Sequence, residues 1–305
     1  MKFFVTGASG WVGSHAVREL RAAGHEVIGL ARSDAAAEAV AGLGAEVRRG
    51  DLEDLDALRA GAADADGVVH LGYHHDFSEM EKAAAIDRAA LTALGETLEG
   101  TGGALLFASG TLGLATGRVA TEEDTADPEA YPRARNAAVG LAFAERGVRP
   151  IEARFAPTVH GTHDHGFVAT LVRLARERGV SGYIDEGTDR WPAVHVDDVA
   201  TLIRLALEKA PAGAALHAVA EEGVPTRRIA EAIARRYGLP LESVPRERAA
   251  EHFDWIGFFF GSDLPASSAR TRASLGWTPG GPGIVEDIEG GAYDESGGGS
   301  GTGAS

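Results

Sequence analysis

The sequence predicts an α/β fold, a doubly wound parallel sheet, and its N-terminal part gives two of the reasons. A short apolar strand over residues 2–5 leads into a turn with three glycines, and a helix with one apolar stripe follows over residues 11–23. A second apolar strand over residues 26–30 comes directly after that helix. Strand, helix and strand in this order form the βαβ unit from which parallel sheets are built.

The third reason is that short apolar segments continue to alternate with helical patterns as far as residue 219. We expect residues 1–290 to form one domain, because no linker interrupts this alternation. A small C-terminal lobe is expected mainly from residues 157–192 and 220–285. Residues 291–305 are rich in Gly and Ser and carry no apolar pattern, which predicts a flexible tail.

Composition limits the function. The 305-residue chain carries 45 acidic against 29 basic residues, a formal net charge of -16, and it has no cysteine. The negative charge disfavours binding to nucleic acids or anionic membranes. The lack of cysteine excludes disulfides, thiolate catalysis and cysteine-bound metals. No apolar run approaches the length of a membrane span and no secretory signal precedes the first strand, so we expect a cytoplasmic protein.

The glycine turn predicts a binding site for phosphates. One glycine permits an unusual backbone angle, one lets a pyrophosphate approach the helix start, and one lets helix and strand pack closely. The N–H groups at the helix start and the helix dipole then attract the phosphates. The predicted cofactor residues of this turn are Gly7, Ser9, Gly10, Trp11, Val12 and Gly13.

The phrase T-G-A-S-G-W-V-G over residues 6–13 resembles the short-chain dehydrogenase/reductase superfamily, and more narrowly its extended and atypical branch, the NAD-dependent epimerase/dehydratase family. The phrase H-V-D-D-V-A over residues 195–200 and the segment 271–279 resemble the same branch. The resemblance covers about residues 1–288. It implies a Rossmann-type sheet with a C-terminal substrate-binding lobe, a bound NAD(P) and a small-molecule substrate.

The end of the second strand favours NADP(H) over NAD(H). Members that prefer NAD usually carry an acid there to bind the ribose hydroxyls, but this chain has Ala31 followed by Arg32. A guanidinium suits a 2′-phosphate, which an acid would repel. The alternative is that Arg32 is a solvated loop residue.

The resemblance places Asp51 and Leu52 at the adenine, and Pro157 and Val159 beside the nicotinamide. Leu71 and Gly72 are expected below the cofactor, because a ligand of an open parallel sheet lies beyond the carboxyl ends of the strands. Asp51 has a second possible role as the N-cap of a helix over residues 52–60, and the two roles are compatible.

Catalysis is predicted from a hydroxyl and a tyrosine. The resemblance implies a catalytic Ser or Thr at the end of the fifth strand. The alignment is ambiguous there, because a serine-rich family pattern would put Gly110 on the catalytic position. We prefer Thr111 as the catalytic hydroxyl and keep Ser109 as the second candidate. The family signature Tyr-x-x-x-Lys is matched by Tyr131 and Arg135. A nearby cation lowers the pKa of a tyrosine, and a positioned tyrosine gives the proton that carbonyl reduction requires. The alternative is that Tyr131 is only the first residue of its helix.

The predicted substrate pocket holds these residues: Tyr73, His74, His160, His163, His165 and Trp191. The histidine-rich runs 73–76 and 163–165 could suggest a metal, but neighbouring histidines point in different directions and no further ligand is identifiable. We therefore expect no metal. Either His163 or His165 could supply the proton if Tyr131 does not.

The sequence thus predicts an NADPH-dependent oxidoreductase that reduces a carbonyl, or oxidises the alcohol, of a small and neutral molecule. Two alternatives stay open. One is an epimerase that oxidises and re-reduces its substrate with a retained cofactor, and the other is an NADPH-binding sensor or scaffold without chemistry. A homodimer is possible, since members of the resembled family often pair through helices next to the active site.

Overall fold

The computed structural model describes residues 1–74 and 79–294. Its centre is a sheet of seven strands, in which every recorded pairing is parallel and the order is β10-β6-β5-β4-β1-β2-β3. The strands are β1 (Lys2–Thr6), β2 (Glu26–Ala31), β3 (Glu46–Arg49), β4 (Gly67–His70), β5 (Ala104–Gly110), β6 (Arg149–Phe155) and β10 (Ala214–Ala218). The predicted doubly wound parallel sheet is therefore confirmed.

Helices cover both faces of this sheet because successive side chains of a strand point to opposite sides. Phe3 and Val5 pack in one core with the helix after β1, whereas Phe4 packs in a second core with Leu58 and Leu94. The helices flanking the sheet are α1 (Trp11–Ala22), α2 (Asp34–Gly42), α3 (Leu55–Ala63), α4 (Met80–Thr97), α5 (Pro132–Ala142), α7 (Val196–Lys209) and α11 (Ala269–Leu275).

The C-terminal lobe has two small sheets and its own core. One sheet has the order β11-β9-β7 and the other pairs β12 with β8. Its core contains the fully buried Trp191, Phe260 and Tyr293. The lobe's elements are β7 (Thr158–His160), α6 (Phe167–Arg178), β8 (Ser181–Ile184), β9 (Arg190–His195), β11 (Glu221–Pro225), α8 (Thr226–Tyr237), β12 (Leu241–Val244), α9 (Ala249–Phe253), α10 (Gly257–Phe260) and α12 (Ile284–Gly290).

The start and the cap of one helix differ from the sequence prediction. Helix α3 begins at Leu55 rather than Leu52, and its N-cap is Asp54, whose carboxylate accepts the Ala57 N–H at 3.0 Å. Asp51 instead accepts the N–H groups of Glu53 and Asp54, so it forms the turn before the helix and does not cap it. In the described residues, no helix combines the length and the apolar character that a membrane crossing requires.

Candidate active site

The glycine turn after β1 forms a close-packed cradle at the start of α1. Gly7 has a φ of 68°, and a Cβ on it would come within 2.8 Å of the Gly72 nitrogen. A Cβ on Gly13 would lie 1.9 Å from the Gly7 oxygen, so only glycine fits there. The N-cap of α1 is Gly10, which has no side chain to occupy the first N–H groups of the helix. This is the backbone that a pyrophosphate needs at a helix N-terminus.

Trp11 fixes this cradle to the C-terminal lobe. Its Nε1 donates to the Val159 carbonyl at 2.9 Å, and its ring lies edge-on to the rings of His15 at 5.1 Å and His165 at 6.3 Å. Ser9 and His165 are exposed, while Pro157 and Val159 are half-buried. The structure therefore brings the phosphate cradle, β7 and the histidine loop of residues 161–166 together.

A buried polar chain starts where the strand order reverses, between β1 and β4. The Thr6 hydroxyl accepts the Gly72 N–H at 3.0 Å and is hydrogen-bonded to His70 Nδ1 at 2.8 Å. His70 Nε2 then lies 3.1 Å from Asp87, which also accepts the side-chain amide of Asn136 at 2.6 Å. These contacts connect the carboxyl ends of β1 and β4 to α4 and α5.

A carboxylate can only accept, so the contact with Asp87 places a hydrogen on His70 Nε2. Burial raises the pKa of the Asp87 carboxyl, but the hydrogen bonds from His70 and Asn136 and the charge of the nearby Arg133 guanidinium together lower it by more. The net pKa of Asp87 lies below its ordinary value. Asp87 is therefore an ionised, fully partnered anchor beneath the site.

The two hydroxyls at the end of β5 differ in what they contact. Ser109 donates to Glu152 at 2.7 Å, so its hydrogen is engaged inside the protein. Thr111 is 4% exposed, and its hydroxyl has no hydrogen-bond partner among the described residues. A buried hydroxyl without a partner is costly unless a ligand completes it. Of the two hydroxyls, that of Thr111 is thus the one without a partner among the described residues.

Below Ser109 lies a buried ion pair between two residues of β6. Glu152 and Arg154 approach within 2.8 Å with side chains 5% and 4% exposed. Arg154 also donates to the Asp124 carbonyl at 2.7 Å, which ties down the loop after β5. In the same acidic loop, Glu122 is buried and accepts the N–H and hydroxyl of Thr271. Both contacts anchor this loop to the rest of the protein.

Tyr131 stands at the N-cap of α5, directly before Pro132. Its ring covers the Gly113 backbone so closely that a Cβ on Gly113 would lie 2.4 Å from the ring. Arg135 points away from the sheet: its Nε donates to the Pro128 carbonyl at 3.3 Å and its guanidinium lies 4.0 Å from Glu81.

Arg133 is the arginine of α5 that reaches the carboxyl edge of the sheet. Its guanidinium donates to the Ala108 carbonyl of β5 at 2.9 Å and lies over the Tyr73 ring at 4.2 Å. Residues two apart on a helix lie on different faces, which explains why Arg133 and Arg135 diverge. Burial raises the pKa of the Tyr73 hydroxyl, although Arg133 lowers it, so Tyr73 is a protonated phenol.

The cofactor residues at the far end of the site lie on the turns after β2 and β3. Arg32 is exposed after β2. Arg49 ends β3 and donates to the Ser33 carbonyl at 2.5 Å and to Asp34 at 2.8 Å, which brings a second guanidinium beside the same turn. Leu52 lies against Gly72, since a Cβ on that glycine would be 2.9 Å from the leucine side chain. Leu71 packs against the core that contains β1.

The predicted pocket residues differ in how deeply they are buried. Trp191 is fully buried in the lobe core, where its Nε1 donates to the Phe259 carbonyl at 2.9 Å, so it supports the pocket from behind. His160 is also buried, and its Nδ1 pairs with Asp287 at 2.6 Å. His163 is exposed with a φ of 73°, and His74 and Tyr73 are half-buried. Positions 75 and 76 of the first histidine run lie outside the described residues.

No group of three His, Asp or Glu side chains suited to a metal ion occurs in residues 1–74 and 79–294. Asp164 instead accepts the Tyr293 hydroxyl at 3.0 Å, and burial raises the pKa of both groups. Asp164 of the histidine loop is thus engaged with Tyr293 inside the protein.

Comparison with known proteins fits this geometry. A family model, NAD dependent epimerase/dehydratase family, matches residues 3–219. The chain belongs to this family. Members are NAD(P)-dependent enzymes of the epimerase, dehydratase and reductase superfamily. An uncharacterised protein of Schizosaccharomyces pombe is 44% identical to this chain over 294 residues, which cover 96% of this chain and 100% of the relative.

Two relatives of the family have named activities. A 4-hydroxy-2-methyl-3-oxo-4-farnesyl-3,4-dihydroquinoline-1-oxide ketoreductase of Stigmatella aurantiaca is 28% identical over 70% of this chain and 66% of its own. A UDP-glucose 4-epimerase of Streptomyces lividans is 25% identical over 91% of both chains.

Solved structures share the fold of the family. UDP-glucose 4-epimerase of Thermotoga maritima with UDP-glucose has a TM-score of 0.76 at 19% identity, covering 97% of this chain and 99% of the other. A dTDP-glucose 4,6-dehydratase of Streptomyces venezuelae with NAD and TYD bound has a TM-score of 0.75 at 21% identity, covering 97% of both chains.

Several residues of this family site were not predicted from the sequence: Asp87, Arg133, Asn136, Glu152 and Arg154. One signal was available for the last two. Two charged residues inside the apolar strand I-E-A-R-F, at 151–155, indicate a buried pair, because charges in a central parallel strand are otherwise too costly. The first three lie in helices, where the pattern showed polar faces but not which polar residue faces the sheet.

Proposed function

We propose that this family member is an NADPH-dependent reductase of a carbonyl group in a small, neutral molecule, or that it oxidises the corresponding alcohol. The observation that carries the proposal is the unpartnered, buried Thr111 hydroxyl at the same sheet edge as the glycine cradle. A substrate oxygen would complete that hydroxyl. The named ketoreductase relative supports the same chemistry.

In this proposal the chain's own groups hold the substrate and move one proton. A bound NADPH supplies the hydride. Thr111 hydrogen-bonds the carbonyl oxygen, Tyr131 gives that oxygen its proton, and Arg133 supplies the positive field that the sequence prediction assigned to Arg135. Tyr73 lies beneath Arg133 as the second phenol at this edge. Ser109 keeps its hydrogen on Glu152 and supports the end of β5.

The preference for NADPH is proposed from charge at the end of β2. Arg32 is exposed there, and Arg49 is held beside the same turn by Ser33 and Asp34. A 2′-phosphate would meet the Arg32 guanidinium directly after the strand, with the Arg49 guanidinium, which is paired with Asp34, beside the same turn. Measuring NADPH and NADH affinity for Arg32→Ser tests this: we expect the preference for NADPH to shrink, with NADH affinity unchanged.

The main experiment measures NADPH consumption over a panel of ketones and aldehydes, with NADH and without substrate as controls. We expect substrate-dependent consumption that Thr111→Val and Tyr131→Phe strongly reduce. Turnover that persists in Tyr131→Phe would remove Tyr131 from the mechanism while leaving the reaction class intact.

The epimerase alternative is supported by the Streptomyces lividans relative. An epimerase retains its cofactor, so it would copurify with tightly bound NAD(P) and interconvert epimers without net NADPH consumption. Tight NADPH binding without either activity would favour the sensor alternative.

A further inference from the structure

The segment 253–260 contains two aromatic residues that the fold leaves exposed. Trp255 is 43% exposed and Phe258 is 69% exposed, whereas Phe253 and Phe260 of the same segment are buried. Among the described residues, the large apolar side chains that are exposed to this degree are these two and the methionines at positions 1 and 80. Exposed aromatic clusters on a folded surface mark binding sites more often than single exposed residues do.

These side chains belong to one ordered cluster, which we call the aromatic wall: Phe167, Trp255, Phe258 and Phe259. Phe167 lies 5.4 Å from Trp255 and 5.1 Å from Phe259, and Phe259 lies 5.3 Å from Phe258. The first and last of these contacts are edge-to-face. Behind the wall, Trp191 lies 5.9 Å from Phe167 and bonds the Phe259 carbonyl, so the core holds the wall in place.

The aromatic wall is continuous with the candidate active site. Phe167 is the first residue of α6 and directly follows the histidine loop of residues 161–166. In that loop His165 lies 6.3 Å from Trp11, which opens α1 at the phosphate cradle. Phe167 is two residues along the chain from His165, which places the start of the aromatic wall beside the histidine loop.

The charges beside the wall are neutralised within the lobe. Arg190 forms a two-point pair with Asp263 at 2.9 and 2.7 Å, and this pair lowers the pKa of the Asp263 carboxyl. Arg178 pairs with Asp254 at 3.2 Å. A nucleotide diphosphate would need such cations for its phosphates. The wall therefore suits an uncharged group.

We propose that the aromatic wall binds a planar aromatic group of an uncharged carbonyl substrate. This inference deepens the proposed function and rests on it. An aromatic ring gains edge-to-face or offset contacts with Trp255 and Phe167 that a sugar nucleotide does not, and these contacts add to the burial of apolar area. The wall then selects the substrate, while Thr111 and Tyr131 act on its carbonyl.

The test uses equilibrium binding of 2-acetylnaphthalene to the full chain saturated with NADP⁺, so that no turnover occurs. Quenching of tryptophan fluorescence and calorimetry report binding. Trp255→Leu keeps apolar area but removes the ring, and Trp255→Phe restores a ring. We expect Trp255→Leu to weaken binding about threefold to tenfold, and Trp255→Phe to recover most of it. UDP-glucose should not compete.

Three results would overturn the inference: no binding of 2-acetylnaphthalene, equal binding by Trp255→Leu, or competition by UDP-glucose. A fourth overturning result would come from sedimentation of the same proteins. If the parent is a dimer and Trp255→Leu is a monomer, the wall is an interface between two copies of the chain. Binding that depends on Trp255 without NADPH-dependent reduction of the ketone would support the wall and refute the proposed reaction, so the two failures are distinguishable.

Discussion

Arg133 and Arg135 provide a matched pair of substitutions, because they are the same residue type two positions apart on α5. Arg133→Gln removes a guanidinium that bonds the Ala108 carbonyl and covers the Tyr73 ring. Arg135→Gln removes one that bonds the Pro128 carbonyl near the helix start. The sequence signature favours Arg135 as the functional cation, whereas the structure favours Arg133.

The expected magnitudes follow from these contacts. A hydrogen bond from a charged donor is worth about 1.5 kcal/mol or more, and a cation over an aromatic ring adds about 0.5 to 1 kcal/mol. If reduction needs both contacts, losing about 2 to 3 kcal/mol lowers kcat/KM about 30- to 150-fold. The Arg135 contacts are long and partly exposed, and such pairs contribute about 0 to 1 kcal/mol. We expect at most about a fivefold loss for Arg135→Gln.

The assay measures kcat/KM for NADPH-dependent ketone reduction by both variants, with thermal unfolding and NADPH affinity as controls. Folded Arg133→Gln with intact NADPH affinity and a loss of kcat/KM far larger than that of Arg135→Gln would support the role of Arg133. The reverse order of the two losses would refute it and return the role to Arg135.

The remaining predictions concern the cradle and the buried charges. Gly13→Ala should abolish NADPH binding in calorimetry, because its Cβ would lie 1.9 Å from the Gly7 oxygen; retained affinity would mean that the cofactor does not use this turn. Glu152→Ala should destabilise the fold by about 3 to 5 kcal/mol in urea unfolding, because it leaves Arg154 buried without its partner, and a loss below about 1 kcal/mol would contradict this. The pKa of Asp87 is lower in the folded than in the unfolded state, so the ionised carboxylate stabilises the fold at a pH above the unfolded-state pKa. This stabilisation is lost as the pH falls through the folded-state pKa. Asp87→Asn should therefore be less stable than the parent at neutral pH and similar at strongly acidic pH, whereas a pH-independent difference would contradict the ionised anchor.

The fold was predictable because its signals are local and repeated. Periodicity gave the strands and helices of the central sheet, and glycine spacing gave the turn after β1. Helix α3 was misplaced because two acids, Asp51 and Asp54, both suit a helix start, and only the turn geometry decides between them.

The site was less predictable because it depends on which side of a helix faces the sheet. The spacing of Tyr131 and Arg135 is compatible with one helix face, yet Tyr131 is an N-cap with extended backbone rather than a helical residue. That shift turns Arg133 toward β5. The chain from Thr6 to Asn136 joins residues from four separate elements, so no local pattern indicates it.

Transfer of deuterium from 4-deuterated NADPH to a ketone tests the central claim most directly. The product alcohol of 2-acetylnaphthalene, analysed by mass spectrometry, should carry one deuterium on the former carbonyl carbon when the label is on the transferred face. The label should be strongly reduced when Thr111→Val is used and absent when heat-inactivated protein is used. NADPH binding with no deuterated alcohol from any aromatic ketone or aldehyde would contradict the account and leave a cofactor-binding protein of another function.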